Sequence, residues 1–301
     1  MQQFNPEWGL EAYAFVSTLQ LVVAHPSDNS KIKTFGSGFF LKYRDHLFCV
    51  TADHIIHPDD HFDNDTGQRA RIEYLPQIMT GINDKLEWRS KNIPLGGFYD
   101  HTEYVLDDSS AKDPEKLKDI FMKIAEGNIN INDESLPIGV AIPNFIDIAI
   151  CKMTEPLTEL IVNGEVRKDD NEVLVPANTL KVCLLSDSVA EFNKDDFYLV
   201  AGTVKNDIVN SMNLVGTYML HIDMQFERFN TDGDAVLKVW EHPNIENWSG
   251  LSGAPVFNYK WELVGMLVAG PVTEPFARVV PIKTIIEYID RCIAYESNQI
   301  D

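Results

Sequence analysis

Three residues of this chain have the types and the order of a hydrolytic triad: His54, Asp147 and Ser252. Each lies in or beside a run of apolar residues, and the serine occupies a Gly-Leu-Ser-Gly segment. Serine is a weak nucleophile until an imidazole accepts its proton, and the imidazole needs a carboxylate that fixes its tautomer. Histidine, aspartate and serine, in that chain order, occur in known triads. The sequence therefore predicts acyl-bond hydrolysis, with Ser252 as the nucleophile, His54 as the base and Asp147 as its orienting group.

Hydrolysis through a serine also needs backbone N–H groups that point at the oxyanion of the tetrahedral intermediate. The segment around Ser252 predicts a tight turn that presents the N–H groups of Gly250 and Ser252 for this purpose. Glycine is favourable there because such a turn uses backbone angles that other residues resist. We therefore expect an oxyanion hole formed by Gly250 and Ser252.

The elements that must hold these residues are mostly short β-strands. Apolar and β-branched residues alternate or form short runs between glycine-rich turns, which is typical of antiparallel β architecture. Strands are predicted over residues 14–24, 33–41, 47–51, 145–150, 173–175, 180–185, 197–204, 214–224, 235–240 and 261–269, with a hairpin turn over 230–234. One-face helical spacing predicts helices over 113–125 and 281–294. The first of these helices lies in a polar, acidic stretch, residues 57–140, which interrupts the strand pattern.

Five segments, in the right order, resemble those of the trypsin-like (chymotrypsin-fold) serine proteases. They are residues 35–54 with the histidine, 147–150 with the aspartate, 249–256 with the serine, 261–270 with the strand that pairs with substrate, and 277–279 before a terminal helix. The resemblance implies an all-β fold of two antiparallel six-stranded barrels, with the site in the cleft between them. It implies an N-terminal barrel over residues 10–160 with an insert at 57–140, and a C-terminal barrel with its helix over 172–296.

Three departures from that family pattern stand out. His54 and Asp147 are 93 positions apart, so the insert must lie on the outside of the first barrel. Leu251 replaces the acidic residue that secreted members pair with a newly cut N-terminus, and no activation-cleavage motif precedes the first strand. Val268 replaces a serine that supports the aspartate in many members. The chain thus resembles a bacterial-type intracellular member that a partner protein or a loop switches on, without zymogen cleavage.

Two glutamates are candidates for the pocket that selects the residue before the scissile bond. Counting along the family pattern places Glu246 at the floor of this pocket and Glu274 on its opposing wall. Carboxylates that face the substrate would favour Lys or Arg at that position. The alternative is that both are solvated loop acids, which are common on a chain this acidic.

The charge balance narrows the classes of partner. The chain of 301 residues has 46 acidic and 25 basic side chains, a formal net charge of −21. Nucleic-acid binding and attraction to anionic membranes both begin with a basic surface, so neither partner is expected. The expected partners are a protein or peptide substrate, preferably basic, and an activating protein.

Cofactors and metals are not expected from this sequence. The four cysteines form no CxxC pair, which argues against a thiolate zinc site, and two of them lie in apolar runs that suit free buried thiols. Asp63 and Asp65 begin a calcium-loop pattern, but the terminal acidic ligand is missing. The chain shows neither a signal-peptide pattern nor an apolar run of about 18 residues, so a cytoplasmic protein is expected.

Two classes of function remain open from the sequence. The first is a serine endopeptidase that uses His54, Asp147 and Ser252. The second is a catalytically silent binding or regulatory module of the same fold, which works through the acidic insert or a sheet edge. The presence of all three triad residue types favours the first, while the long insert and Val268 leave room for the second.

Overall fold

β-Strands make up more than half of the residues that the computed structural model describes, which are residues 5–25, 28–56, 75–80, 89–91, 99–105, 142–153, 160, 162, 165–167, 172–209, 213–240 and 244–298. The strands are β1 (Leu19–His25), β2 (Asp28–Tyr43), β3 (His46–Thr51), β4 (Leu75–Thr80), β5 (Arg89–Lys91), β6 (Tyr99–Val105), β7 (Ile142–Lys152), β8 (Val166–Arg167), β9 (Val173–Val175), β10 (Leu184–Leu185), β11 (Phe197–Val209), β12 (Asn213–Phe229), β13 (Ala235–Lys238), β14 (Pro255–Asn258), β15 (Leu263–Ala269) and β16 (Phe276–Pro281). The helices are α1 (Gly9–Ser17), α2 (Asp53–Ile56) and α3 (Ile282–Asn298), and Pro6–Trp8 and Ile245–Asn247 are short 3-10 helices.

A closed barrel of six strands forms the C-terminal part of the fold, in the order β11-β12-β13-β16-β15-β14. Neighbouring strands are antiparallel throughout. The barrel encloses buried aliphatic side chains, which include Val200, Leu237, Val256, Leu267 and Val279. The predicted all-β class, the C-terminal barrel and the hairpin turn between β12 and β13 are therefore confirmed.

The N-terminal strands form an eight-stranded sheet. Seven strands follow the order β5-β4-β1-β2-β3-β7-β6, and β10 adds to β2 in the parallel sense. In the part of the chain that the structure describes, this order does not close on itself, so the predicted first six-stranded barrel stays a prediction. β4, β5 and β6 come from the stretch 57–140, which was expected to lie outside the sheet. They extend both ends of the sheet, where a strand can do without a continuous apolar run.

One apolar core joins the sheet to the barrel. It contains residues of the sheet such as Phe39 and Ile148 and residues of the barrel such as Phe257 and Met266. α3 adds buried residues to the same core, including Ile289. The predicted C-terminal helix is confirmed and packs where the two halves meet, so they share their largest apolar cluster.

The segment before β1 differs from its predicted form. Residues 14–24 are predicted as one strand, but residues 14–17 complete α1 and the strand begins only at Leu19. The prediction was wrong because α1 has no polar stripe at helical spacing: Ala12, Ala14, Phe15 and Val16 are all buried. A helix that is apolar on most sides gives no amphipathic signal. The helix predicted over 113–125 lies outside the described residues.

Lys181 holds the C-terminal end of α1. Its ammonium donates to the carbonyl oxygens of Phe15 (2.9 Å) and Thr18. The Thr18 hydroxyl in turn lies within hydrogen-bond distance of the carbonyl oxygens of Ala14 and of Ala201 on β11. The residue is partly exposed, but its ammonium is buried, and this burial lowers the pKa of Lys181 to about 7. The loop before β10 is thereby attached to the first helix and the barrel.

The cysteines behave as the sequence predicts. Cys49 and Cys151 are buried and free, and they lie opposite each other on β3 and β7. Burial raises the pKa of the Cys49 thiol, and the neighbouring Cys151 raises it further. Among the described residues there is no helix long and apolar enough to cross a membrane, and no group of three or more His, Cys, Asp or Glu side chains that could hold a metal.

Lys181→Met is expected to change how stability depends on pH. An unfolded lysine keeps its proton to about pH 10.4, whereas folded Lys181 loses it near pH 7. Between these values the unfolded chain binds more protons, so the free energy of unfolding should rise with pH in the wild type. Urea unfolding at pH 7, 8 and 9 should show this rise reduced in Lys181→Met and retained in Lys260→Met, a surface control. Equal slopes in all three proteins would contradict the assignment.

Candidate active site

His54 lies on the single turn of α2, directly after β3. Its two successors, Ile55 and Ile56, are buried, and Ile55 packs so closely on Gly36 of β2 that a Cβ there would lie 2.7 Å from its side chain. The histidine side chain remains 46% exposed. The turn is therefore anchored by its apolar residues while the imidazole faces the solvent side.

Asp147 holds His54 through two contacts. One carboxylate oxygen lies 2.6 Å from Nδ1 of the imidazole, and the other accepts the backbone N–H of His54 at 3.0 Å. The pairing of β3 with β7 sets this contact, because Thr51 lies opposite Ala149 and Asp147 then lies beside the turn that follows β3. Since a carboxylate accepts, the proton belongs on Nδ1, and Nε2 is left to accept a proton. This is the tautomer that a general base requires.

Ser252 lies at the first central position of a tight turn. The N–H of Ala254 donates to Leu251, which closes this turn, and the N–H of Leu251 donates to Trp248, which closes the preceding one. Gly250 and Gly253 have φ values of +106° and +90°, a region that favours glycine. The two glycines on either side of the serine thus permit two successive turns before β14.

The serine turn lies directly on the N-terminal sheet. The N–H of Ser37 on β2 donates to the carbonyl oxygen of Ser252 at 2.7 Å. A Cβ on Gly253 would overlap the carbonyl oxygen of Ser37 and would lie 2.6 Å from Oγ1 of Thr51. Thr51 precedes His54 by three residues, so the fold brings the serine turn to the start of the histidine segment.

The Ser252 hydroxyl donates to the carbonyl oxygen of Val268 on β15, at 3.3 Å. Within the described residues no hydrogen bond joins this hydroxyl to His54. Rotation of the serine side chain about its Cα–Cβ bond would redirect the hydroxyl, and hydroxyl rotamers of this kind interconvert readily. The structure thus brings His54 and Asp147 into contact, whereas the Ser252 hydroxyl is hydrogen-bonded to a carbonyl oxygen of β15.

The N–H groups of Gly250 and Ser252 are available for a ligand. In the described part of the chain neither of them donates to a protein acceptor, whereas the N–H groups of Leu251, Gly253 and Ala254 all do. Unpaired donors on consecutive turns are the feature that binds an oxyanion. The assignment of Gly250 and Ser252 to an oxyanion hole stays a prediction.

Leu251 shows how the turn is fixed without an acidic residue. Its side chain is fully buried in the barrel core, next to residues such as Trp248 and Ala254. It also fills the space beside Gly202 of β11, where a Cβ would lie 2.7 Å from a Leu251 methyl group. Apolar burial therefore anchors the position where secreted members of the resembled family use a charge pair.

The two glutamates predicted for a specificity pocket are both exposed. Glu246 lies on the 3-10 helix Ile245–Asn247, and Glu274 lies in the loop between β15 and β16. The two segments meet through Trp248, whose side chain packs on Gly270 with Cγ 2.6 Å from the position of a Cβ. Their exposure also fits the alternative of solvated acids, and the pocket assignment stays a prediction.

Sequence reasoning missed two residues beside the site. His221 of β12 is buried, stacks on Trp248 with ring centroids 3.7 Å apart, and contacts the carbonyl oxygen of Asn247 through Nε2. Asp234 lies in the turn between β12 and β13. Burial raises its pKa, the nearby charge of Arg278 lowers it, and the charge of Asp147 raises it further. His221 is a lone histidine in a predicted strand, and Asp234 belongs to a predicted hairpin turn. Neither pattern indicates that the residue lies near the candidate triad.

Comparisons with known proteins give distant likenesses in fold. No protein-family model matches the sequence, and no curated protein matches it. Similar solved structures include the serine endoprotease from Yersinia pestis, at 14% identity with a TM-score of 0.42; the alignment covers 95% of this chain and 67% of that chain. Deg5 has 14% identity and a TM-score of 0.36, with 90% of this chain and 86% of that chain covered. The HtrA-type protease AlgWS227A with tripeptide has 14% identity and a TM-score of 0.40, with 92% and 62% covered.

Gly253→Ala should displace the serine turn, while Gly233→Ala should not. Both glycines have φ close to +90°, which costs an alanine about 1–2 kcal/mol. A Cβ meets nothing within 4 Å at Gly233 but overlaps Ser37 at Gly253. Chemical unfolding should therefore show a clearly larger loss of stability for Gly253→Ala than for Gly233→Ala. Equal losses would mean that the turn does not lie on β2 as described.

Proposed function

We propose that this protein is a serine endopeptidase of the trypsin-like type, with His54, Asp147 and Ser252 as its triad. The observation that carries the proposal is the double contact of Asp147 with His54, through Nδ1 at 2.6 Å and the backbone N–H at 3.0 Å. A surface ion pair needs only one such contact. The second holds the carboxylate against the backbone of His54, so that the first contact fixes the orientation of the imidazole ring and leaves Nε2 to accept a proton.

The mechanism follows from these groups. Ser252 Oγ attacks the peptide carbonyl carbon as its proton passes to Nε2 of His54. The oxyanion that forms accepts hydrogen bonds from the N–H groups of Gly250 and Ser252. Collapse of the tetrahedral intermediate breaks the C–N bond, and His54 donates its proton to the leaving amine. Water then attacks the carbonyl carbon of the acyl-enzyme as it gives a proton to His54. The bond from this carbon to Ser252 Oγ breaks, and His54 returns the proton to Oγ, which releases the acid and the free serine. Asp147 stabilises the imidazolium in both halves of the reaction, and no cofactor is needed.

In this proposal the Ser252 side chain rotates before it attacks a substrate. The Ser252 hydroxyl contacts the Val268 carbonyl oxygen, and it must turn toward His54 before it can be deprotonated. The turn itself needs no cleavage event, because Leu251 is already buried in the barrel. An activating partner or loop would act on the rotation of Ser252 or on access to the cleft, rather than on the folding of the turn.

The proposed substrates are proteins or peptides with Lys or Arg before the scissile bond. The charge of −21 attracts basic chains, and Glu246 and Glu274 lie on the two segments that Trp248 and Gly270 hold together. Both glutamates are exposed residues. The proposal also includes closure of the N-terminal sheet into a barrel, with the cleft between the two halves.

Ser252→Ala should abolish labelling by a fluorophosphonate probe, which reacts with activated serines. Ser249→Ala is the matched control, because Ser249 is an exposed serine only three residues away that has no place in the mechanism. We expect gel fluorescence from the wild type and from Ser249→Ala, and none from Ser252→Ala. No labelling of the wild type would favour the second candidate, a silent binding module of the same fold.

Glu246→Gln and Glu274→Gln test the preference for basic residues. A fluorogenic peptide series with Lys, Arg, Gln or Leu before the cleaved bond should be cut faster at Lys and Arg by the wild type. We expect the double variant to lose about 10-fold or more of that preference, since a charge-assisted bond contributes about 1.5–3 kcal/mol. Gln-containing peptides provide the internal reference. An unchanged preference would assign both carboxylates to the solvated surface.

A further inference from the structure

Ser37 of β2 is the residue of the N-terminal sheet that contacts the serine turn most closely. It is 1% exposed. Its backbone N–H donates to the carbonyl oxygen of Ser252 and its Oγ donates to the carbonyl oxygen of Gly250, both at 2.7 Å. Its own carbonyl oxygen accepts Oγ1 of Thr51, also at 2.7 Å. Three hydrogen bonds therefore fix one small residue between the two halves of the site.

We propose that Ser37 is a positioning residue for the oxyanion hole, and that its hydroxyl sets the direction of the Gly250 N–H. This inference rests on the proposed function, because an oxyanion hole matters only if Ser252 attacks an acyl group. Ser37 does not contact the reacting atoms. It acts on them through the backbone of the turn.

The peptide unit between Gly250 and Leu251 is held at both of its polar ends. Its carbonyl oxygen accepts the Ser37 hydroxyl, and its N–H donates to the Trp248 carbonyl oxygen at 3.0 Å. A peptide plane held at both ends cannot rotate. The direction of the Gly250 N–H relative to this plane is then set by the two backbone angles at Gly250 alone.

The hydrogen bond from Ser37 matters because Gly250 is a glycine. Gly250 has a φ of +106° and no Cβ, so its own sterics hold its angles less than those of any other residue. An N–H that must meet an oxyanion within hydrogen-bond distance needs fixed angles. The restraint has to come from a neighbour. The Ser37 hydroxyl restrains ψ of Gly250, because it holds the peptide plane that turns about the Gly250 Cα–C bond.

Ser37 is itself held in place on all sides. β2 lies between β1 and β3, and Ser37 pairs with Gln20 of β1. Its Oγ lies 3.2 Å from where a Cβ on Gly202 of β11 would be, so the missing side chain of this glycine leaves room for the hydroxyl. From this position the hydroxyl donates to the Gly250 carbonyl oxygen.

The test compares Ser37→Ala with Thr179→Val. Thr179 is also buried, and its hydroxyl also donates to a backbone carbonyl, that of Pro176, at 2.7 Å. Both variants lose one buried hydroxyl–carbonyl bond and should lose similar stability, but only Ser37 contacts the serine turn. The reaction with a fluorophosphonate is measured as a maximal rate constant and a half-saturating concentration, because only the first depends on the oxyanion hole.

We expect the maximal labelling rate constant of Ser37→Ala to fall about 10- to 100-fold, as is typical when a catalytic donor is misplaced. The half-saturating concentration should stay unchanged, and Thr179→Val should label like the wild type. Amide hydrogen exchange of the peptide that contains Gly250 and Leu251 should become faster in Ser37→Ala alone.

Three results separate the possible failures. A wild type that labels normally and a Ser37→Ala variant with an unchanged rate constant would overturn the positioning role. Unchanged exchange of the turn in Ser37→Ala would overturn it as well, and this result does not require activity. A wild type that does not label would overturn the proposed function, and the role of Ser37 in an oxyanion hole would fall with it.

Discussion

The serine turn of the barrel lies on β2 of the sheet without room for a side chain between them. Gly253 makes this approach possible, because even one carbon atom there would overlap the Ser37 carbonyl oxygen. The contact joins the two parts of the chain that carry the candidate triad, since β2 is the neighbour of β3 and β3 leads into His54. The spacing of the serine from the histidine therefore follows from a contact between backbones, which cannot rearrange as a side-chain contact can.

Around this contact, each candidate triad residue is held in place by a different feature of the fold. Strand pairing sets the position of Asp147, buried isoleucines anchor the turn of His54, and a buried leucine anchors the turn of Ser252. Apolar burial at Leu251 takes the place of a charge pair, and buried charge pairs are costly to form because both ions lose their water. An anchor of this kind is complete once the barrel has folded.

The sequence predicted the candidate site best where a reactive residue type adjoins a strand with a clear apolar run. His54, Asp147 and the Gly-Leu-Ser-Gly turn each adjoin strands with clear apolar runs, and these strands formed close to their predicted bounds. α1 escaped prediction because most of its residues are buried, and β4 to β6 escaped because strands at or next to the ends of a sheet carry a weak pattern. The contacts of Ser37 and Lys181 lie between residues more than 150 positions apart, and no single-sequence pattern encodes such pairs. The predicted pocket role of Glu246 and Glu274 depends on the geometry of two loops, which no single-sequence pattern encodes.

The common core of the two halves limits the motions that the molecule can use. Two-domain enzymes often close on a ligand by bending at a hinge, which requires an interface that can slide or open. Here Phe39 and Ile148 of the sheet belong to the same buried cluster as Phe257 and Met266 of the barrel, with α3 packed on it. Opening that interface would expose core residues to water. The two halves are therefore expected to move as one rigid body, with local adjustments left to loops and side-chain rotamers.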